Sequence, residues 1–130
     1  GVDSVHESSD AVEAAKLLAQ TSGAIAAVSG ATDIVTDGNR IVGAHSGVAM
    51  MQKITAIGCS VIALIAAFVA LHKSHALDAA VSALVVFDVA GELGMKMAKG
   101  PASLRMHLID ALYGLDEAAL NSHVNVTSLY

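Results

Sequence analysis

Apolar positions recur every three to four residues near the start of the chain. Ala11, Ala15 and Leu18 follow this spacing, with Glu13 and Lys16 between them. The period places the apolar side chains on one face and predicts an amphipathic helix. Glycine at the next break in the pattern, position 23, ends it.

Shorter apolar runs follow this helix. The run from Ala24 to Ser29 predicts a buried strand, and the runs Ile34 to Thr36 and Arg40 to Val42 flank Asp37-Gly38-Asn39. These turn residues accept positive φ values, so the pattern predicts a tight β-hairpin.

The second half of the chain is richer in long apolar stretches, which predict helices over about 58–71, 75–99 and 101–114. Pro101 suits the first position of the third helix, and Gly114 ends it. Residues 116–121 predict a short helical turn before a polar tail. A helix, a strand and a hairpin followed by a helical cluster indicate the α/β class.

The turn from Ile54 to Ser60 carries the clearest chemical signal. It contains Gly58 and the only cysteine, Cys59, and it leads directly into an apolar helix. The first N–H groups of a helix have no intrahelical acceptor, and they lie at the positive end of the helix dipole. The turn therefore predicts an anion-binding site.

Composition narrows the classes of function. The chain of 130 residues has room for one domain, and its apolar fraction of 55% with only 3% aromatic residues predicts a core of small aliphatic side chains. A net charge of −5 without a basic stretch argues against a nucleic-acid partner. A single cysteine cannot form an internal disulfide, so the cytoplasm is the expected compartment. The opening Gly1 to His6 resembles a loop within a longer chain, which suggests a fragment.

A membrane protein is the first alternative. Ile54 to Leu71 is eighteen residues long and carries no charge, which is enough to consider a membrane span. The next apolar stretch, however, contains Asp78, Asp88 and Glu92, which are costly in lipid. We therefore favour a helix within an α/β core and expect no membrane partner. We interpret the three acids as solvated or interface positions, and no metal site is predicted.

Several separated motifs together resemble the hydroxyethylthiazole kinases. These motifs are Val28 to Asp33, Val35 to Gly38, Met50 to Thr55, the Gly58-Cys59 pair, and Lys99 to Ser103. Their order and spacing resemble the C-terminal half of that family, and the similarity extends to Gly1-Val2-Asp3-Ser4. What is missing is the N-terminal half.

The resemblance implies a fold and an activity. The fold is ribokinase-like, with a mostly parallel sheet and helices on both faces, and residues 1–130 form the C-terminal part of one such domain. The activity is ATP-dependent phosphorylation of the primary alcohol of 4-methyl-5-(2-hydroxyethyl)thiazole in thiamine biosynthesis and salvage. The resemblance also implies a homotrimer, or association with an N-terminal half that would hold most of the Mg²⁺ ligands.

The resemblance assigns roles to five residues. Cys59 occupies the position where most ribokinase-like enzymes carry an aspartate base, and Gly58 belongs to the anion hole. Ser29 and Thr55 correspond to residues that contact ATP, and Ala56 corresponds to a glycine that touches the thiazole. A thiol at a helix start is a candidate acceptor for the substrate hydroxyl proton.

The same turn departs from the family pattern Thr-Gly-x-Gly-Cys. Ala56 replaces the first glycine, and Ile57 brings a β-branched side chain into the turn. A positive φ at either position would strain the residue, and Ile57 more than Ala56. The departure keeps a second function open, in which a non-catalytic fragment or degenerate homologue binds nucleotide or acts as a structural subunit.

Overall fold

The computed structural model describes residues 8–30 and 32–129. The helices are α1 Ser8–Ser22, α2 Ile57–Leu71, α3 Ala76–Met95, α4 Pro101–Gly114 and α5 Glu117–Asn121, and the strands are β1 Ala26–Val28, β2 Asp33–Thr36, β3 Ile41–Ala44 and β4 Val126–Ser128. Short 3₁₀ turns occupy Ala49–Lys53 and Lys73–His75. Gly1 to Ser4, which the family resemblance includes, and Ala31 of its first motif lie outside the described residues.

The four described strands form one sheet in the order β1-β2-β3-β4. The α/β class and the hairpin are confirmed. The expectation of a mostly parallel sheet is wrong for these strands, because all three pairings are antiparallel. The connections explain this, since the short turns from β1 to β2 and from β2 to β3 can only reverse the chain direction.

Thr36 organises the hairpin turn between β2 and β3. Its side chain is fully buried, and its Oγ1 donates to the Arg40 carbonyl at 2.8 Å. The Gly38 N–H donates to Thr36 Oγ1 at 3.0 Å. Gly38 adopts φ 93°, as the turn chemistry predicts. Gln20 Nε2 donates to the Gly38 carbonyl at 2.8 Å and thereby docks the hairpin on α1.

Helix α3 is the centre of the molecule, with twelve buried residues. One side of α3 packs Leu77, Ala80 and Leu84 against Val35 and Val42 of the sheet. Another side contacts α4 and the segment before α2, in a cluster that contains Met51, Ile54, Phe87, Ala90, Leu104 and Leu108. The core consists mainly of small aliphatic side chains, as composition predicts.

Helix α2 lies on this core but is not enclosed by it. None of its fifteen residues is buried, and its partly buried side packs Val61, Ile65 and Val69 against the cluster of α3 and the sheet. Among the described residues no single helix has both the length and the apolar character to cross a membrane. Only α2 taken together with Lys73–Met95, at a bend of 114°, meets that test.

Gly94 lies where α3 closely approaches α4. A Cβ at Gly94 would lie 2.8 Å from the backbone nitrogen of Leu108, whereas a Cβ at Gly114 would meet nothing within 4 Å. We expect Gly94→Ala to lower the free energy of unfolding by about 1–3 kcal/mol through overpacking. Gly114→Ala, the matched control, should leave it unchanged or raise it. Urea denaturation of both variants measures the difference, and equal values would contradict this packing.

Candidate functional site

Four of the five residues that the resemblance singled out lie together at the start of α2. Thr55 and Ala56 form the turn that precedes the helix, and Gly58 and Cys59 lie in its first turn. All four are exposed, and Ile54, directly before them, is buried against the α3 core. A buried anchor therefore holds an open turn at the surface.

The start of α2 presents unpaired backbone donors. The Ile57 N–H bonds the Ile54 carbonyl at 3.3 Å, and the Ser60 N–H bonds the Ala56 carbonyl at 3.1 Å. Within the described residues, no acceptor pairs with the N–H groups of Gly58 and Cys59. Ala56 is the N-cap and offers no side-chain cap. Two N–H groups at the positive end of a fifteen-residue helix therefore have no acceptor and belong to exposed residues.

Ala56 carries the backbone strain of this turn. It adopts φ 65° and ψ 16°, and it is the only residue other than glycine with positive φ in the described part of the chain. Ile57 is already the first helical residue. The larger departure from the family pattern, at Ile57, is therefore free of backbone strain, and the smaller one is strained. This conformation favours glycine.

Ser29, the fifth residue, lies on a separate segment. It follows β1 and begins the turn that leads to β2, and its side chain is exposed. Within this turn the Gly30 N–H donates to Asp33 Oδ1 at 2.9 Å. No hydrogen bond between described residues joins Ser29 to the α2 turn. Helix α3 supports both segments, because Phe87 packs with Ile54 while the neighbouring Asp88 faces Asp33.

The buried acids beside Ser29 were missed by sequence reasoning. Asp33 and Asp88 are 8% and 6% exposed. Burial is the main cause that raises the pKa of both carboxyls, and with the added negative charges of Asp33 and Glu92 it raises the pKa of Asp88 to about 8.

The expectation that the three α3 acids are solvated or interface positions holds for Asp78 and fails for Asp88. Asp78 is exposed and forms an ion pair with Arg40 at 2.9 Å. Asp88 is buried, and Glu92 is half-buried and accepts the Gly47 N–H at 2.9 Å. Helix α3 is apolar around most of its circumference, so its sequence pattern does not mark which acid points inward.

The family model described as the hydroxyethylthiazole kinase family matches residues 1–118. The chain belongs to the hydroxyethylthiazole kinase family. The resemblance read from the separated motifs is confirmed.

Hydroxyethylthiazole kinases of two plants are similar to the chain over nearly its whole length. The Arabidopsis thaliana protein is 64% identical over 129 residues, which is 99% of this chain and 47% of that protein. The Zea mays protein is 61% identical over 127 residues, covering 98% of this chain and 45% of that protein.

A solved structure agrees with the fold. The hydroxyethylthiazole kinase protein from Pyrococcus horikoshii OT3 superposes with a TM-score of 0.88 at 34% identity, over 94% of this chain and 47% of that one. The chain spans about half the length of the curated relatives it matches.

The strain at Ala56 predicts a stabilising substitution. Ala56→Gly should raise the free energy of unfolding by about 1 kcal/mol, because glycine adopts the left-handed conformation without a Cβ clash. Ala63→Gly, at an exposed interior position of the same helix, should lower it by about 0.5–1 kcal/mol. Urea denaturation of the two variants provides the measurement. Opposite signs support strain at Ala56, and a loss of stability in both contradicts it.

Proposed function

We propose that this chain forms about half of a hydroxyethylthiazole kinase domain, namely the C-terminal half. Joined with the remainder of the domain, it transfers the γ-phosphoryl group of ATP to the primary alcohol of 4-methyl-5-(2-hydroxyethyl)thiazole, a reaction of thiamine biosynthesis and salvage. Family membership supports the reaction. The single observation that carries the chemistry is the pair of unpaired N–H groups at the start of α2.

The start of α2 suits phosphoryl transfer for an electrostatic reason. In the loose transition state of this reaction, negative charge lies on the oxygens of the transferred group. Fixed N–H donors stabilise that charge without having to reorganise during the reaction. We propose that the N–H groups of Gly58 and Cys59 take this role and that the Thr55 hydroxyl contacts the ATP phosphates.

The remaining residues position the two substrates. We propose that the Ser29 hydroxyl contacts ATP from the β1 to β2 turn and that the Ala56 backbone touches the thiazole. The Cys59 sulfur accepts the proton of the substrate hydroxyl as its oxygen attacks phosphorus. General-base help of this kind is worth about 10²–10⁴-fold in rate where it operates.

Magnesium accompanies ATP in this proposal, but the described residues assign it no site. Across residues 8–30 and 32–129, no three His, Cys, Asp or Glu side chains are arranged to hold a metal ion. We therefore expect its ligands mostly in the other half of the domain and derive no step through it from this chain. A cytoplasmic location and a homotrimeric assembly also remain predictions.

The outer face of α2 supports association with the other half of the domain. The helix has no charged residue, yet Ile62 is 65% exposed and Leu71 79% exposed. Between α2 and α4 a groove of about 390 Å³ has Phe87 and Leu108 in its lining and reaches Thr55. An exposed apolar helix face beside an apolar groove is typical of a protein interface. Because the relatives are about twice as long, we propose that the other half of their domain covers it.

One observation favours the alternative of a non-catalytic homologue. Ala56 holds a left-handed conformation beside the proposed phosphate path. If this strain distorts the turn, the assembled domain would bind nucleotide without turnover. The two functions therefore differ in product formation and not in binding.

Reconstitution tests the activity. The chain is mixed with the portion of the Arabidopsis thaliana relative that it does not cover, and thiazole phosphate is measured with MgATP. We expect product from the mixture and none from either part alone, because the residues proposed to bind MgATP and the thiazole are divided between the two parts. Nucleotide binding without product would favour the non-catalytic alternative, and neither binding nor product would contradict both.

Cys59 variants in the same mixture test the proton acceptor. Cys59→Ala should lower kcat about 10²-fold or more, and Cys59→Asp should retain most of it, because a carboxylate can accept the proton. Ser82→Ala, at an exposed position of α3 outside the α2 turn, is the control and should leave kcat within about twofold. An unchanged rate in Cys59→Ala would contradict the role.

A charge on the α2 face tests the association. Ile62→Glu should weaken binding of the other half at least about tenfold, because a buried unpaired carboxylate is costly. Leu17→Glu is the matched control, since Leu17 is 61% exposed on α1 and lies outside the proposed interface. Titration calorimetry compares the two. Equal affinities would show that the α2 face is not the interface.

A further inference from the structure

Two carboxyl groups meet in the interior, beside the turn that carries Ser29. Asp33 begins β2 and Asp88 lies in the middle of α3, and both are more than nine-tenths buried. Neither forms an ion pair with another described residue. Asp88 Oδ2 is buried and receives no hydrogen bond from the described residues.

Two ionised carboxylates in this position would repel each other as like charges, and they could not hydrogen bond because each is only an acceptor. One proton changes the interaction. A protonated carboxyl donates to the ionised one, and a short charge-assisted hydrogen bond replaces the repulsion. Asp33 is the carboxyl of the pair that is favoured to be ionised, since its Oδ1 accepts the Gly30 N–H at 2.9 Å and this bond stabilises the charged form.

We propose that Asp88 is a positioning residue that keeps its proton and donates it in a hydrogen bond to Asp33, so that the Ser29-Gly30 turn is fixed against α3. The chain of hydrogen bonds runs from the Asp88 carboxyl through the Asp33 carboxylate to the Gly30 N–H. Its effect on ATP binding rests on the proposed function of Ser29, whereas the hydrogen bond itself does not.

The groups around Asp88 keep the proton in place. Glu92 lies one turn further along α3 and adds negative charge, which with burial and Asp33 raises the pKa of Asp88 to about 8. From the segment after β3, a Cβ at Gly47 would lie 3.1 Å from Asp88 Oδ1, so only glycine packs there without displacement. His45 of that segment is hydrogen bonded to Thr32 and Thr127.

The pH dependence follows from the direction of this shift. The Asp88 pKa in the folded chain, about 8, exceeds its ordinary value of 3.8. Its stabilising contribution is therefore complete below the unfolded pKa and is lost as the pH rises through the folded pKa. Between pH 6 and pH 8 the folded chain keeps this proton, whereas the unfolded chain has released it. The folding equilibrium constant therefore falls by up to about tenfold per pH unit.

Three variants of the chain test the proposal by denaturant unfolding between pH 6 and pH 9. Asp88→Asn supplies an amide donor that cannot titrate. The folding equilibrium constant of this variant should therefore fall with pH much less than that of the parent chain. Asp88→Ala supplies no donor and should be less stable than Asp88→Asn at every pH. Asp110→Asn, at an exposed position of α4, is the control and should keep the parent decline.

Hydrogen exchange at the Gly30 amide gives a readout specific to the turn. We expect protection in the parent chain at pH 6, retained in Asp88→Asn and lost in Asp88→Ala. A decline with pH in Asp88→Asn equal to that of the parent overturns the proposal. So does equal Gly30 protection in the alanine and asparagine variants.

Two further measurements test the Asp88 proton and the proposed role of Ser29 separately. If the variants unfold too readily for denaturation, carboxyl NMR of the parent chain replaces it, and an Asp88 titration near pH 4 instead of near pH 8 overturns the proposal. Nucleotide affinity in the reconstituted domain tests Ser29 separately. Gly30 protection that follows the proton without any change in nucleotide affinity supports the hydrogen bond and contradicts only the assigned role of Ser29.

Discussion

The structure depends on the burial of helix α3 by α2, α4 and the sheet. Twelve residues of α3 are buried; the sheet and α2 pack in one cluster with it, and α4 packs in another. With few aromatic side chains available, the contacts come from close approach of small residues. Gly94 is one such contact, because a Cβ there would lie only 2.8 Å from the backbone nitrogen of Leu108 in α4. Close packing of this kind leaves little freedom for any layer to shift.

This constraint also fixes the candidate site. Phe87 holds Ile54 and thereby the turn that opens α2, and the next residue, Asp88, faces Asp33 below the Ser29 turn. Two segments that are distant in sequence are thus attached to adjacent residues of one rigid helix. The burial of α3 therefore also positions the backbone donors at the surface. The strain at Ala56 persists because the buried Ile54 on one side and the helix on the other hold the turn.

The outward side of α2 shows the other consequence of this architecture. A helix without charge is stable in water only if a second layer covers it, and α3 covers one side alone. The relatives contain about as much chain again. The apolar run that the sequence left open between a membrane span and a core helix packs on α3 with one side, and under the proposed function the other half of the domain covers its outer side.

The sequence by itself determined the elements whose signals are local. The Asp37-Gly38-Asn39 turn, the glycine and proline helix ends and the start of α2 were all predicted within a few residues, because their causes lie in neighbouring residues. Strand β4 was missed, since a three-residue exposed strand is defined by pairing with β3 and not by its own pattern. The mostly parallel sheet was wrong because the resemblance describes a whole domain, whereas short turns set the direction of these strands. Only the tertiary structure decided that Asp88 points inward and that Ala56, not Ile57, carries the positive φ. Both depend on how the chain packs around α3, and that packing involves residues far apart in sequence.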